Sequence, residues 1–284
     1  MKNILLPTDF SENALNAIDY AVQLFKHEEC TFIILNTYTP LAYNIATFAD
    51  EYTTMMTEEY TRKKSEKKLT EIKEKLEKKY KNPKHTIETK ASFNLLINEI
   101  VDVVKERDID LIVMGTKGAT GAKEVFLGTN TMYTIKKTNC AVIAVPEDFN
   151  YQDPKEILFP TDFKFSMENK YLNLLKSIST VHEARLNILN VYFGASLNET
   201  QKTLKADFEE FFKDSAHTFH TKEYVDLVEA VEQFQIKHKV NFLVMIQNKH
   251  TFFENLMFRP VIKQMVFHTN IPFMVIPSIA LKRA

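Results

Sequence analysis

Four of the chain's five glycines, Gly115, Gly118, Gly121 and Gly128, fall within fourteen residues, directly after the apolar run DLIVM at 110–114; the fifth is Gly194. Gly115 would end a strand, where the missing Cβ lets a ligand approach the backbone. Gly118 and Gly121 permit positive φ in a loop that turns its N–H groups inward. The segment Gly128-Thr129-Asn130-Thr131 reads as the opening of a helix. The first N–H groups of a helix have no intrahelical acceptor and sit at its positive dipole end, which suits a phosphate. Thr129 and Thr131 could add hydroxyl donors. The chemistry indicated is polyphosphate binding, although a plain loop needing glycine only for its turns would look the same. The stretch GTKGATGAK is not a P-loop, because Lys123 is followed by Glu124 rather than Ser or Thr, and no G-x-G-x-x-G occurs.

Other reaction chemistry finds little support. None of the eight histidines lies in H-E-x-x-H. His217 and His220 stand three apart on an expected strand, hence on opposite faces, which is poor geometry for one metal ion. His27, His182, His238, His250 and His268 are scattered. There is no G-x-S-x-G elbow, and no catalytic residue is identified. Cys30 and Cys140 sit in apolar, strand-like contexts and read as buried small hydrophobes.

The elements that must hold the glycine loop can be read from hydrophobic period. Residues 2–6, 31–37, 85–91, 110–114 and 140–145 are expected strands; the continuous apolar runs among them are the pattern of strands buried on both faces. Helices are expected after Ser11, a plausible N-cap, with Leu15, Ile18, Ala21, Val22 and Phe25 inward, and over 51–80, 94–107 and 129–138. The helix over 51–80 is highly charged, with Leu69, Ile72, Leu76 and Tyr80 as its apolar stripe and Glu71/Lys75 and Glu74/Lys78 as favourable pairs. In the helix over 94–107, Leu95, Ile97, Ile100, Val101 and Val104 follow the helical period. The alternation predicts an α/β fold with a doubly wound parallel sheet. Ligands in such sheets bind beyond the carboxyl ends of the strands where the strand order reverses. Attention therefore falls on the residues after strands one and four.

The chain is also written twice. ILLPTDF at 4–10 answers ILFPTDF at 157–163, FIILNTY answers LNILNVY, LIVMG at 111–115 answers LVMI at 243–246, and TNCAVIAVP answers TNIPFMVIP. Met114 and Met245, Thr138 and Thr269, and Pro146 and Pro277 are each 131 positions apart. Duplication predicts two tandem domains, 1–147 and 154–284, each a five-stranded parallel sheet with helices on both faces. The stretch EDFNYQDP at the boundary is polar and aperiodic.

The composition is that of a globular chain: 45% hydrophobic and 26% charged, with a formal net charge of −1. A charge near zero offers no global field to gather nucleic acid. No apolar run approaches a membrane span, and the N-terminal apolar run is too short for a signal peptide. No nucleic-acid or membrane partner is expected, and a cytoplasmic location is.

With these residues in view, the chain resembles the universal stress protein family in a tandem two-domain form. ATP-binding members of that family carry G-x2-G-x9-G-[ST] after strand four, and Gly115, Gly118, Gly128 and Thr129 fit that spacing. ILLPTDFS, with Pro7, Thr8 and Asp9 after strand one, matches the family's other hallmark. The resemblance implies an adenine nucleotide alpha hydrolase-like fold and ATP as ligand. It places Asp9 near ribose and base, Thr37 at the adenine, Met114 and Gly115 at the nucleotide-lining strand end, and Gly118, Gly128, Thr129 and Asn130 at the phosphates; Thr131 adjoins them. Asp9 has an alternative reading as a helix cap. Family members usually dimerise through the last strand, here CAVIAVP. A homodimer is therefore expected, with the two domains forming an intrachain pseudo-dimer.

The second half departs from the motif. Without gaps, Gly115 becomes Ile246, Gly118 Lys249, Gly128 Arg259 and Thr129 Pro260, while Asp162 answers Asp9. Added side chains and a proline lacking an N–H remove both room and donors, so ATP is expected in the first domain only. Lys249, Arg259 and Lys263 read as a solvated basic surface, with a different anion site as the alternative, and Phe252 and Phe253 could be an interaction patch or could plug the pocket. The expected function is a stress-response protein in which ATP is a regulatory or structural ligand. The alternatives are a slow ATPase or nucleotidyl transferase, with Mg²⁺ bridging the phosphates, and a ligand-free dimerisation scaffold.

Overall fold

A computed structural model of the 284-residue chain describes residues 1–39, 51–116, 128–192, 196–223, 227–247 and 270–278. The chain divides into two compact units, Met1–Asp148 and Phe149–Ala284. Both are α/β. The first contains β1 (Lys2–Pro7), α1 (Glu12–Leu24), β2 (Cys30–Tyr38), α2 (Glu51–Tyr80), β3 (His85–Phe93), α3 (Leu96–Glu106), β4 (Leu111–Gly115), α4 (Thr129–Lys137) and β5 (Ala141–Val145). Its strands are parallel, in the order β3-β2-β1-β4-β5.

Ile4, Leu5, Leu6, Ile112, Val113 and Ile143 are buried, as strands covered on both faces require. Each such side chain contributes roughly 1.5–3 kcal/mol relative to exposure. The order runs one way from β1 through β3 and the other way from β4 to β5. Right-handed crossovers then send α1 and α2 to one face and α3 and α4 to the other. The reversal between β1 and β4 opens a crevice at their carboxyl ends.

Helix starts follow local chemistry. Ser11 caps α1, its side chain accepting from Ala14 N at 3.3 Å. In α2, Leu69 and Leu76 are buried. Among the described residues, the ion pairs formed along α2 are Glu59–Lys63 and Lys73–Glu77, not the expected Glu71–Lys75 and Glu74–Lys78. Leu95 is not part of the inward stripe of α3. It occupies the position before the first turn and is 64% exposed, while Ile100 and Val103 take the core.

The second unit contains β6 (Glu156–Pro160), α5 (Tyr171–Val181), β7 (Arg185–Tyr192), α6 (Glu199–Phe211), β8 (His217–Glu223), α7 (Leu227–His238), β9 (Phe242–Gln247) and β10 (Phe273–Pro277). Its parallel order is β10-β9-β6-β7-β8, the same arrangement as in the first unit when strands are counted from its own start. One element is displaced. α1 begins five residues after the end of β1, whereas α5 begins eleven after the end of β6. No helix among the described residues is long and apolar enough to cross a membrane.

Candidate functional site

The carboxyl edge of the first sheet is set by strand register. Pro7 pairs with Leu35, and Leu5 with Ile112, so Pro7 comes level with Met114 two steps further on. Thr8 N then donates to Leu35 O at 2.8 Å, extending the ladder by one bond. Beyond it the chain turns sharply. Thr8 Oγ1 accepts from Phe10 N at 2.9 Å, Asp9 Oδ1 accepts from Ser11 N at 3.0 Å, and Phe10 has φ 67°. A positive φ in a non-glycine residue is strained and needs such hydrogen bonds to hold it. Ser11, not Asp9, caps α1; the Asp9 side chain closes the turn before it and stays exposed. Thr8 and Met114 are buried, and Thr37 and Gly115 half-buried.

Gly115 does not have the role first expected of it. A Cβ there would lie 2.4 Å from Asn13 Nδ2 and 2.7 Å from its Oδ1. The room left by the missing side chain is filled by the carboxamide of α1, not kept for a ligand. Thr131 is likewise not a free donor: it is 1% exposed, and its hydroxyl donates to Gly115 O at 2.7 Å. That bond ties the first turn of α4 to the end of β4.

The start of α4 is otherwise open to chemistry. Gly128, at φ −51° and ψ 145°, is the N-cap residue and supplies no side-chain cap. Its own N–H donates to Thr116 O. Thr129 and Asn130 are exposed at the first turn. Amides at such a turn, with the helix dipole behind them, favour an anion. Gly118 and Gly121 lie outside the described residues, as do Lys249, Phe252, Phe253, Arg259, Pro260 and Lys263.

The family model for universal stress proteins matches residues 1–146. The chain belongs to the universal stress protein family. A universal stress protein of Methanocaldococcus jannaschii is 31% identical over 161 residues, spanning 51% of this chain and 94% of its own length. Over nearly the whole chain the fold is similar to that of a universal stress protein solved from Archaeoglobus fulgidus. That structure has a TM-score of 0.64 at 16% identity, with 97% of this chain and 96% of that one covered. Another universal stress protein, 20% identical over 51% of this chain and 96% of its own with a TM-score of 0.37, was solved in complex with cAMP.

The turn that follows the first strand is built twice here. In the second unit Thr161 N donates to Leu189 O at 2.9 Å, Thr161 Oγ1 accepts from Phe163 N at 2.9 Å, and Phe163 has φ 52°. Sequence reading missed the asparagines that brace both turns. Asn36 Nδ2 donates to Thr8 O at 2.7 Å, and Asn190 Nδ2 donates to Thr161 O at 2.9 Å. Asn36 also accepts from Ser65 Oγ of α2 at 2.7 Å. The signal was present, since both LNTY and LNVY place one Asn inside an apolar strand. A second missed pair is Asn16, 3.3 Å from Pro146 O, and Asn169, 2.8 Å from Pro277 O; each ties the first helical region of its unit to the end of the last strand.

Among the described residues no group of three or more His, Cys, Asp or Glu could hold a metal ion. Both thiols are buried; burial pushes that of Cys30 up to about 12, so it is no nucleophile at neutral pH.

Proposed function

We propose that the first unit binds ATP at the β1–β4 crevice, as a regulatory or structural ligand. The observation that carries this reading is the glycine-capped start of α4, whose exposed first turn faces no side-chain cap. A helix end of that kind is an anion site when it stands beside the carboxyl edge of a parallel sheet. Pro7, Thr8 and Asp9 reach the same edge from β1. Asp9 is exposed there and is the one carboxylate among the expected site residues. A Mg²⁺ ion would therefore be held chiefly by the phosphates themselves, with Asp9 as its protein ligand.

The second unit is read as a degenerate copy that binds no ATP in this manner and stands in for a partner domain. Full chains are proposed to pair as homodimers in the cytoplasm. ATP is expected to bind at one site per chain, measured by calorimetry on the full protein. Gly128→Arg, which installs the residue found at 259, should abolish binding while leaving the circular dichroism spectrum unchanged. Two equivalent sites, or binding indifferent to Gly128→Arg, would overturn the assignment. Hydrolysis in single turnover that is faster than in the Gly128→Arg variant would make the protein an ATPase rather than a sensor.

A further inference from the structure

The second unit carries a histidine pair that the first unit lacks. His220 lies on β8, where it pairs with Leu189 of β7, and His238 is the last residue of α7. The fold brings their rings to 5.3 Å between centroids, inclined at 59°. Phe234 of α7 touches both, stacked on His238 at 4.0 Å and T-shaped against His220 at 4.8 Å. In the first unit the strand position that answers His220 is Lys90, paired with Leu35 of β2. The position 131 residues before His238 is Arg107, and the residue after each, Asp108 and Lys239, has positive φ. Lys90 and Arg107 are cations bound to carboxylates, Glu99 and Glu88.

The tautomer of His220 is fixed from behind. Its Nε2 lies 3.1 Å from Asn187 Oδ1. The Asn187 amide cannot be turned over, because its Nδ2 donates to Glu156 Oε2 at 2.9 Å and to Ile157 O at 3.4 Å, both of which only accept. Nε2 of His220 therefore carries the proton, and Nδ1 presents a lone pair. A polar partner that sets ring and tautomer in this way is what ligating imidazoles have behind them. Among the described residues no hydrogen bond is made by His220 Nδ1 or by the ring of His238. Burial first, then His238, Lys222 and Lys237, hold the His220 pKa below its ordinary value, so no proton has to leave at neutral pH before a metal binds. With a zinc–nitrogen bond of about 2.0–2.1 Å, each ring centroid stands about 3.2 Å from the ion, and two imidazoles at a tetrahedral angle have centroids about 5.2 Å apart. The observed 5.3 Å matches that spacing. A half-turn of the His238 ring keeps its stack on Phe234 and selects which nitrogen faces the ion.

We propose that His220 and His238 bind one Zn²⁺ ion, with His220 Nδ1 as one ligand, a ring nitrogen of His238 as the second and water completing the tetrahedron. Only two protein ligands are present, and Lys222 and Lys237 repel a dication. The site is therefore weak, and it selects ions that prefer imidazole nitrogen to oxygen.

The test is calorimetry on the full chain, stripped of metal with a chelator and free of nucleotide, titrated at neutral pH with zinc chloride and, as control, magnesium chloride. One zinc site per chain is expected, and no heat from magnesium, which prefers oxygen ligands. His220→Ala and His238→Gln should each weaken zinc roughly tenfold or more, since each removes one of two nitrogens. His217→Gln, on the opposite face of the strand, should leave binding unchanged. Lys237→Glu should tighten zinc severalfold by removing a repelling charge, a change that a purely packing role of the histidines would not produce. Zinc should raise the melting temperature of the native chain and not that of His238→Gln, and the same melts show that the variant is folded. The proposal fails if zinc does not bind, if either histidine variant binds it as the native chain does, or if His217→Gln abolishes binding. No measurement uses ATP, so the nucleotide reading stands or falls separately.

Discussion

After β1, Phe10 turns its backbone to φ 67° and leaves its ring half-exposed; after β6, Phe163 makes the same turn at φ 52° and is buried. The threonine bond, the ladder extension and the bracing asparagine are present both times. What differs is the surroundings. Asp9 is exposed, whereas the Asp162 side chain is 27% exposed and its backbone is bonded by α6. There Gln201 closes a capping box with Asn198 and also donates to Asp162 O at 2.8 Å. The backbone device is therefore an element of folding, present in both units. Under the proposed nucleotide reading, binding would depend on whether neighbouring side chains leave it uncovered. The turn is alike in both units, and what covers it is not.

The largest effect expected from this comparison is at Gly115. A Cβ 2.4 Å from Asn13 Nδ2 is closer than packing allows, so Gly115→Ala should cost up to about 3 kcal/mol. The second unit carries Ile246 at the matching position and, 153 residues after Asn13, a serine at 166. By sequence offset, a large residue on the strand thus answers a small one at the position of Asn13, the reverse of the first unit. Combining Asn13→Ser with Gly115→Ala should recover most of the loss in urea unfolding. Losses that simply add would show that the two positions do not share one space.

This pair shows what could be read from the chain and what could not. The strands, the long helix at 51–80 and the crevice between strands one and four were legible, because burial on both faces and helical period leave marks along the sequence. Asn13 under Gly115 leaves no such mark, since the contact joins residues about a hundred positions apart, and a glycine that makes room for a side chain looks like one that makes room for a ligand. Thr131 misled for a related reason: its hydroxyl could be counted as a donor before its acceptor, Gly115 O, was known. Leu95 fits the helical period but precedes the helix, and periodicity places ends poorly. The displaced start of α5 follows a turn in which Asn169, itself buried, bonds Tyr171 N and Pro277 O.

A middle-sized effect separates the bracing asparagines. Asn36→Ala removes the bond to Thr8 O and strands the buried Ser65 hydroxyl, and should cost about 2 kcal/mol. Asn190→Ala removes the bond to Thr161 O and should cost about 1 kcal/mol. Urea midpoints of the two variants give the comparison directly. Equal costs would mean that Ser65 finds another partner and that α2 does not depend on Asn36.

The smallest effect concerns the two aspartates and has a pH signature. Burial raises the pKa of Asp162, and nearby Lys164 only partly offsets it. A carboxyl with a folded pKa above its unfolded value binds its proton more tightly in the folded state. Ionisation therefore opposes folding, with full cost at pH above the folded pKa and none below the unfolded one. Asp162→Asn keeps an oxygen for the Lys164 N–H, 3.3 Å away in the native turn, and removes the charge. It should stabilise the protein slightly at neutral pH, and the gain should vanish as pH falls to about 3, below the ordinary carboxylate range. Asp9→Asn, at the exposed turn of the first unit, is the comparison. Thermal melts of both variants across that interval test the contrast. A gain at Asp162 that persisted in acid would point to packing rather than charge as its origin, and the difference between the open and covered turns would then be one of shape alone.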